Sequence, residues 1–217
     1  MHLLFDLDGT LTDPFPGIIK SIQHALVALG HPAPPDNDLR WCIGPPLRQV
    51  FARLLDTKDA SLIESAVLKY RDRFGTVGLF ENDLYPGIET ALAELKRSGH
   101  TFGVATSKPA VFAVRIIEHF GLKPYFRSID GSEMDGTRAD KTSLIAYILK
   151  RDAIAPADTI MIGDREFDMI GARQNGVAAL GVLWGYGSRA ELEAAGAFAC
   201  VASPQELPAA LAQISVR

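Results

Sequence analysis

Apolar residues recur along this chain at two different spacings, and the change between them divides it. Leu3, Leu4 and Phe5 make an uninterrupted apolar run, the pattern of a strand buried on both faces. After Asp13 the spacing turns helical. Ile18, Ile19, Ile22, Ala25, Leu26 and Leu29 follow the helical period until Gly30 stops them ahead of the proline-rich link Pro32 to Pro35. A second helical run, Leu62, Ile63, Ala66, Val67, Tyr70 and Phe74, closes at Gly75 and Gly78. Between the two, Ile43-Gly44-Pro45-Pro46-Leu47-Arg48 forms a rigid turn that launches a further helix, Leu47 to Leu55. Nothing in this block alternates as a strand does, so residues 14–84 are predicted to be a helical insertion.

From Tyr85 onward short apolar runs alternate with helical ones. The pattern predicts a helix from Pro86 to Ser98, a strand from Thr101 to Ala105 and a helix from Pro109 to Phe120. A short strand, Phe126 to Ile129, leads into a loop, Asp130 to Ala139. A helix follows from Lys141, then a strand from Thr159 to Ile162, a helix from Phe167 to Gln174 and a strand from Ala178 to Leu183. A helix from Ser188 to Ala195, an edge strand from Phe198 to Val201 and a helix from Ser203 to Ile214 complete the series. Strand–helix alternation of this kind is the mark of βαβ units. The expected fold is α/β: a Rossmann-like, doubly wound, mostly parallel sheet built from residues 1–13 and 85–217, with the helical block inserted.

Composition adds bounds. At 217 residues, 47% hydrophobic and 22% charged, the chain has the make-up of an ordinary globular protein with room for a real core. A net charge of −4 leaves no electrostatic footprint for nucleic acid or an anionic membrane. No apolar run reaches the roughly 18 residues a membrane span needs, and the N-terminus lacks signal-peptide character, so a cytoplasmic protein is expected. Cys42 and Cys200 have no metal-ligand spacing and are read as free thiols. The five histidines form no paired spacing, and each is read as structural or exposed.

Chemistry concentrates where the predicted strands stop. The first ends in Asp6-Leu7-Asp8-Gly9. Two acids crowded at the carboxyl end of a central strand are costly to desolvate, which argues for a cation or a shared proton. A bare Asp-x-Asp is equally well a strand running into an acidic surface turn. Thr106-Ser107-Lys108 follows the strand ending at Ala105, and a hydroxyl with free N–H groups entering a helix suits an anion, although a plain helix cap is the commoner fate. Lys141 stands at a helix start, against the dipole preference, or is simply a solvated lysine. Asp164 and Asp168 sit at a strand end and within a first helical turn, where acids are also ordinary caps. What sets these readings aside is coincidence. Parallel strands present their carboxyl ends along one sheet edge, which places Asp6, Asp8, Thr106, Lys141, Asp164 and Asp168 around one crevice. Such a site is too acidic to hold phosphate unless Mg²⁺ reverses the balance.

The string Asp6-Leu7-Asp8-Gly9-Thr10-Leu11-Thr12-Asp13, with Thr106, Lys141 and the Gly163-Asp164-Arg165-Glu166-Phe167-Asp168 segment, resembles all four motifs of the haloacid-dehalogenase superfamily phosphatases. The resemblance covers nearly the whole chain. It implies Asp6 as nucleophile, Asp8 as acid/base, and Thr106, Ser107, Lys141 and Gly9 about the transferring phosphoryl group. It implies Mg²⁺ held by Asp6, the main-chain carbonyl of Asp8, Asp164 and Asp168, with Asp168 direct or one step removed. The block at 14–84 matches that family's cap, implied to gate access. Ile43–Leu47, Tyr85-Pro86-Gly87, Ala105–Pro109 and Gly181–Gly187 look most like the phosphoglycolate phosphatase group, whereas Gly131–Arg138 departs from it. The implied activity is hydrolysis of small phosphate monoesters, with 2-phosphoglycolate first and nucleoside 5′-monophosphates second. Arg48 could pair with a glycolate carboxylate, or equally lie outside and meet solvent.

The acid at position 8 disfavours a dehalogenase, and the Gly44–Leu47 turn lacks the lysine a phosphonate hydrolase would need. A phosphomutase shares the motifs. A silent binding protein on the same fold would typically have lost one of these acids, and none is missing. The expected partner is a small phosphate ester, with neither nucleic acid nor membrane, for a monomer or homodimer.

Overall fold

The structure, a computed structural model, describes residues 1–213. In chain order the elements are β1 (His2–Phe5), β2 (Thr12–Asp13), α1 (Phe15–Ala28), α2 (Leu47–Leu54), α3 (Ala60–Phe74), β3 (Asp83–Leu84), α4 (Ile88–Arg97) and β4 (Thr101–Pro109). There follow α5 (Ala110–His119), β5 (Phe126–Ser132), α6 (Lys141–Asp152), β6 (Thr159–Gly163), α7 (Glu166–Gln174), β7 (Ala178–Val182), α8 (Arg189–Ala195), β8 (Ala199–Val201) and α9 (Leu207–Ala212). The chain divides into two compact units, Met1–Asp13 with the chain from Leu84 onward, and Pro14–Asp83. Leu84, expected in the helical block, therefore belongs with the α/β unit. No helix among the described residues is long and apolar enough to cross a membrane.

The α/β unit is built on a six-stranded sheet in the order β5-β4-β1-β6-β7-β8, its ladders parallel throughout. β1 lies between β4 and β6, with Phe5 opposite Val104 on one side and Ile162 on the other. Its apolar run has no polar alternate because both faces are covered. Phe5 packs edge-on against Phe102 and Phe126, ring centroids 5.7 and 6.1 Å away. Leu4 points the other way, into a cluster with Ala105, Met161, Leu144, Ile145 and Ile148 of α6 and Met169 and Ala172 of α7. Strand period then decides where chemistry falls. Asp6, two residues beyond Leu4, projects toward the face that α6 and α7 cover.

Two elements overrun their predicted ends. β4 continues past Ala105 through Thr106, Ser107 and Lys108 to Pro109, and β5 runs to Ser132 rather than Ile129. The extra pairing sets Thr106 opposite Gly131 and Pro109 opposite Ser132, with a register shift between them. It needs Gly131, where a Cβ would lie 2.3 Å from the Lys108 carbonyl oxygen. Thr106, Ser107 and Lys108 are thus strand and bulge, not the first turn of a helix. The expected closing helix is a short 3₁₀ turn, Pro204–Glu206, followed by α9. Its predicted end at Ile214 lies outside the described residues.

The helical unit buries Ile18, Ile19, Ile22, Ala25 and Leu26 of α1 and Ala66, Val67, Tyr70 and Phe74 of α3, the stripes their spacing predicts. α1 comes close enough to the Gly78 turn that a Cβ on Gly17 would lie 1.9 Å from the Gly78 carbonyl oxygen. Arg73 clamps Glu81 with both terminal nitrogens, at 2.7 and 3.1 Å. Cys42, in the 3₁₀ turn Asp36–Cys42, is a free thiol whose pKa burial pushes up to about 12; Cys200 is free as well.

Candidate active site

The register that places β1 centrally also brings the chemistry together. One residue past Phe5, Asp6 takes an N–H···O bond of 2.9 Å to the Ile162 carbonyl and stands level with Ala105 and Gly163, where β4 and β6 deliver Thr106 and Asp164. α6 begins at Lys141 and α7 holds Asp168 in its first turn, both on the face Asp6 points to. Gly163 lets α7 approach, since a Cβ there would lie 2.3 Å from Asp168 Cγ.

Asp6, Asp164 and Asp168 are buried, and one carboxylate oxygen of each lies within 4.8 Å of the others. Lys141 Nζ stands 2.8 Å from Asp6 Oδ1 and 2.6 Å from Asp168 Oδ1, and donates to the Ala105 carbonyl at 2.6 Å. Those two carboxylate oxygens lie at ion-pair distance yet accept no well-aligned hydrogen bond. Asp168 Oδ2 accepts from the Arg165 N–H at 3.1 Å, the reach-back of a residue in a first helical turn. Asp164 accepts from the Thr10 hydroxyl at 3.3 Å and from the Tyr186 N–H at 2.8 Å. Asp8 is held apart from the trio, its Oδ1 accepting from Lys108 Nζ at 2.8 Å.

Four carboxylates therefore share this strand-end region with two ammonium groups. Burial raises the pKa of Asp164 well above the ordinary value, and Asp168 and Asp6 raise it further. Burial likewise lifts Asp168 to about 6, against the pull of Lys141. Burial works against the Lys141 ammonium, but Asp168 and Asp6 outweigh it and its pKa is raised. Burial raises Asp8 too, opposed by Lys108. An all-oxygen donor set that is buried, unevenly hydrogen-bonded and in excess over its cations fits a small hard divalent ion. No sulfur or imidazole belongs to the cluster.

The structure brings together Asp6, Lys141, Asp164 and Asp168, with Asp8 shortly beyond β1 and Thr106 within the neighbouring β4. The side chain of Asp8 does not join the trio, so any part it has in holding a metal falls to its carbonyl. Ser107 accepts from the Ser132 hydroxyl through its carbonyl, at 3.0 Å. Gly9, expected about the phosphoryl group, donates its N–H to the Thr12 carbonyl at 2.8 Å. Its role is steric, because it turns at φ +83° and a Cβ would lie 2.2 Å from Asp164 Oδ2.

Lys108, Thr10 and Tyr186 contribute contacts that were not singled out as site residues. Lys108 belongs to the Thr106-Ser107-Lys108 tripeptide and Thr10 to the first motif. Tyr186 lies between Gly185 and Gly187, whose spacing was the available signal for a close approach. A Cβ on Gly185 would lie 2.4 Å from both Asp164 Oδ2 and the Gly9 carbonyl oxygen.

A profile of the haloacid dehalogenase-like hydrolase family matches residues 3–182. A 5′-nucleotidase from Pseudomonas aeruginosa is 48% identical over 193 residues, 89% of this chain and 87% of that protein. The tyrosine-protein kinase PtkA from Mycobacterium tuberculosis is 37% identical over 85% of this chain and 62% of its own length. The crystal structure of a predicted phosphatase from Clostridium acetobutylicum superposes with a TM-score of 0.94 at 42% identity, covering 98% of both chains.

Proposed function

The chain belongs to the haloacid dehalogenase-like hydrolase family, and on that footing we propose that it is a Mg²⁺-dependent phosphatase of small phosphate monoesters, with nucleoside 5′-monophosphates as its preferred class. The observation that carries the chemistry is the buried cluster of Asp6, Asp164 and Asp168 around Lys141, with Asp8 beside it. The Asp6 carboxylate attacks phosphorus and displaces the ester oxygen, forming an aspartyl phosphate. Asp8 gives its proton to the departing oxygen, then takes one from the water that releases inorganic phosphate. Its raised pKa suits the first of these tasks, since it keeps the carboxyl protonated to higher pH. Lys141 and the Thr106 hydroxyl neutralise and orient the phosphoryl oxygens. Asp6, Asp164, Asp168 and the Asp8 carbonyl would hold Mg²⁺, which supplies charge neutralisation for a dianion approaching four acids.

Two observations move the preference from 2-phosphoglycolate to nucleotides. Arg48, one of whose two readings is as partner of a glycolate carboxylate, is engaged by Glu64 within the helical unit, its Nε on one carboxylate oxygen and its Nη2 on the other at 3.0 Å. A bidentate pair of that kind satisfies the guanidinium without substrate. The relative at 48% identity is named for nucleotide hydrolysis. The test is kcat/KM for nucleoside 5′-monophosphates, 2-phosphoglycolate and an aryl phosphate, with Mg²⁺ and with excess chelator. The expected result is nucleotides ahead of 2-phosphoglycolate by at least about tenfold and no turnover in chelator. Preference for 2-phosphoglycolate would overturn the substrate reading alone, and full activity in chelator would overturn the metal.

A further inference from the structure

Asp164 is fully buried, and its carboxylate is held from two directions: by the Thr10 hydroxyl at 3.3 Å and by the Tyr186 main-chain N–H at 2.8 Å. The second bond comes from an irregular loop beyond β7, with glycine on either side of Tyr186. A backbone donor on such a loop is only as well placed as the loop itself, so what fixes the loop matters. Two side chains do so. The Trp184 indole N–H donates to the Thr10 carbonyl at 3.0 Å. The Tyr186 hydroxyl donates to Asp13 Oδ1. The Tyr85 N–H, from the start of the chain's return to the α/β unit, donates to the Leu11 carbonyl at 3.2 Å. The loop is therefore stitched along the segment from Thr10 to Asp13, and that segment begins with the other donor to Asp164. Gly185 and Gly187 permit this closeness, since a Cβ on Gly187 would lie 2.0 Å from the Asp164 carbonyl oxygen.

We propose that Tyr186 is a positioning residue for Asp164: anchored through its hydroxyl on Asp13, it holds its own N–H against the Asp164 carboxylate and so sets the affinity of the acid cluster for a divalent cation. This rests on the reading of Asp6, Asp164 and Asp168 as metal ligands. Tyr186 is assigned this part through the geometry of one ligand, as partners of metal ligands commonly act.

The test is calorimetric titration of Mg²⁺ into the wild-type protein and into Tyr186→Phe, Asp13→Ala, Asp13→Asn and Asp164→Asn, with the metal-free melting temperature of each recorded beside it. Tyr186→Phe should weaken Mg²⁺ binding roughly tenfold, and Asp13→Ala by a similar factor. Combining the two should add little, because both break the same link. Asp13→Asn keeps an oxygen acceptor and should restore most of the affinity. An unchanged Mg²⁺ affinity in Tyr186→Phe, whether or not its melting temperature falls, would overturn the proposal, as would full additivity in the double variant. Absence of Mg²⁺ binding by the wild type, or wild-type affinity in Asp164→Asn, would instead overturn the metal reading on which it stands.

Discussion

Asp8 and Lys108 show how one contact divides the labour of adjacent carboxylates. Asp6 and Asp8 are two residues apart, yet Asp6 faces Lys141 in the buried trio whereas Asp8 faces Lys108 at 2.8 Å. Burial raises the Asp8 pKa and Lys108 pulls it back, so the group can carry a proton without being locked in that form. Asp8→Asn should lower kcat for an alkyl phosphate by about 10²–10⁴-fold. The loss should be markedly smaller for an aryl phosphate, whose leaving group departs without a proton. Equal losses on both, read from steady-state rates, would remove the acid role. Asp6 and Lys141 stand out in the sequence because one ends an apolar run and the other opens a helix. Lys108 does not, because a lysine beside a Ser/Thr pair is indistinguishable in one dimension from a solvated one. The turn at Gly9 is legible in the sequence, whereas the hydrogen bond that its N–H gives to Thr12 is not.

At the scale of elements, α6 does more than cover the sheet. Its first residue inserts an ammonium between Asp6 and Asp168, and Gly171 of α7 allows it, a Cβ there falling 2.7 Å from Lys141 Cβ. Lys141→Met would leave two buried carboxylates without their cation, and removing one partner of a buried pair costs about 3–5 kcal/mol. Chemical denaturation in the absence of divalent ions should show a loss of that order, and Mg²⁺ should recover part of it; an unchanged midpoint would contradict the arrangement. In the helical unit, the Arg73 hydrogen bond, with help from Lys20, holds the Glu81 pKa below its ordinary 4.5 against a smaller burial effect. A depressed carboxyl pKa stabilises above the unfolded value and loses that contribution as pH falls through the folded one. Melting temperature should therefore drop less steeply below pH 4.5 in Glu81→Gln than in the wild type, by the modest amount a half-exposed pair commands. Parallel slopes would show that the pair is neutral to stability. Periodicity made the run of β1, the buried stripes of α1 and α3 and the start of α6 at Lys141 legible. It missed the extension of β4 and β5 because pairing across Gly131 depends on a neighbour distant in sequence, which no local spacing records.

For the whole molecule, strand order decides what meets what. The β5-β4-β1-β6-β7-β8 sheet puts β1 between the two strands whose ends carry Thr106 and Asp164, although these lie 100 and 158 residues from Asp6 along the chain. The alternation of strands and helices foretold a parallel sheet, and a parallel sheet foretold a shared edge. The stitching of the loop beyond β7 to the first motif was beyond that logic, because it is made by side chains on irregular segments. The central claim is that Asp6 is the nucleophile of a metal-dependent phosphatase. The most direct test is release of inorganic phosphate from a nucleoside 5′-monophosphate by Asp6→Asn beside the wild type, in saturating Mg²⁺, with circular dichroism confirming the fold. An amide cannot form the acyl phosphate, so turnover should fall by at least about 10³-fold while the spectrum is unchanged. Turnover near the wild-type rate in a folded Asp6→Asn protein would contradict the account.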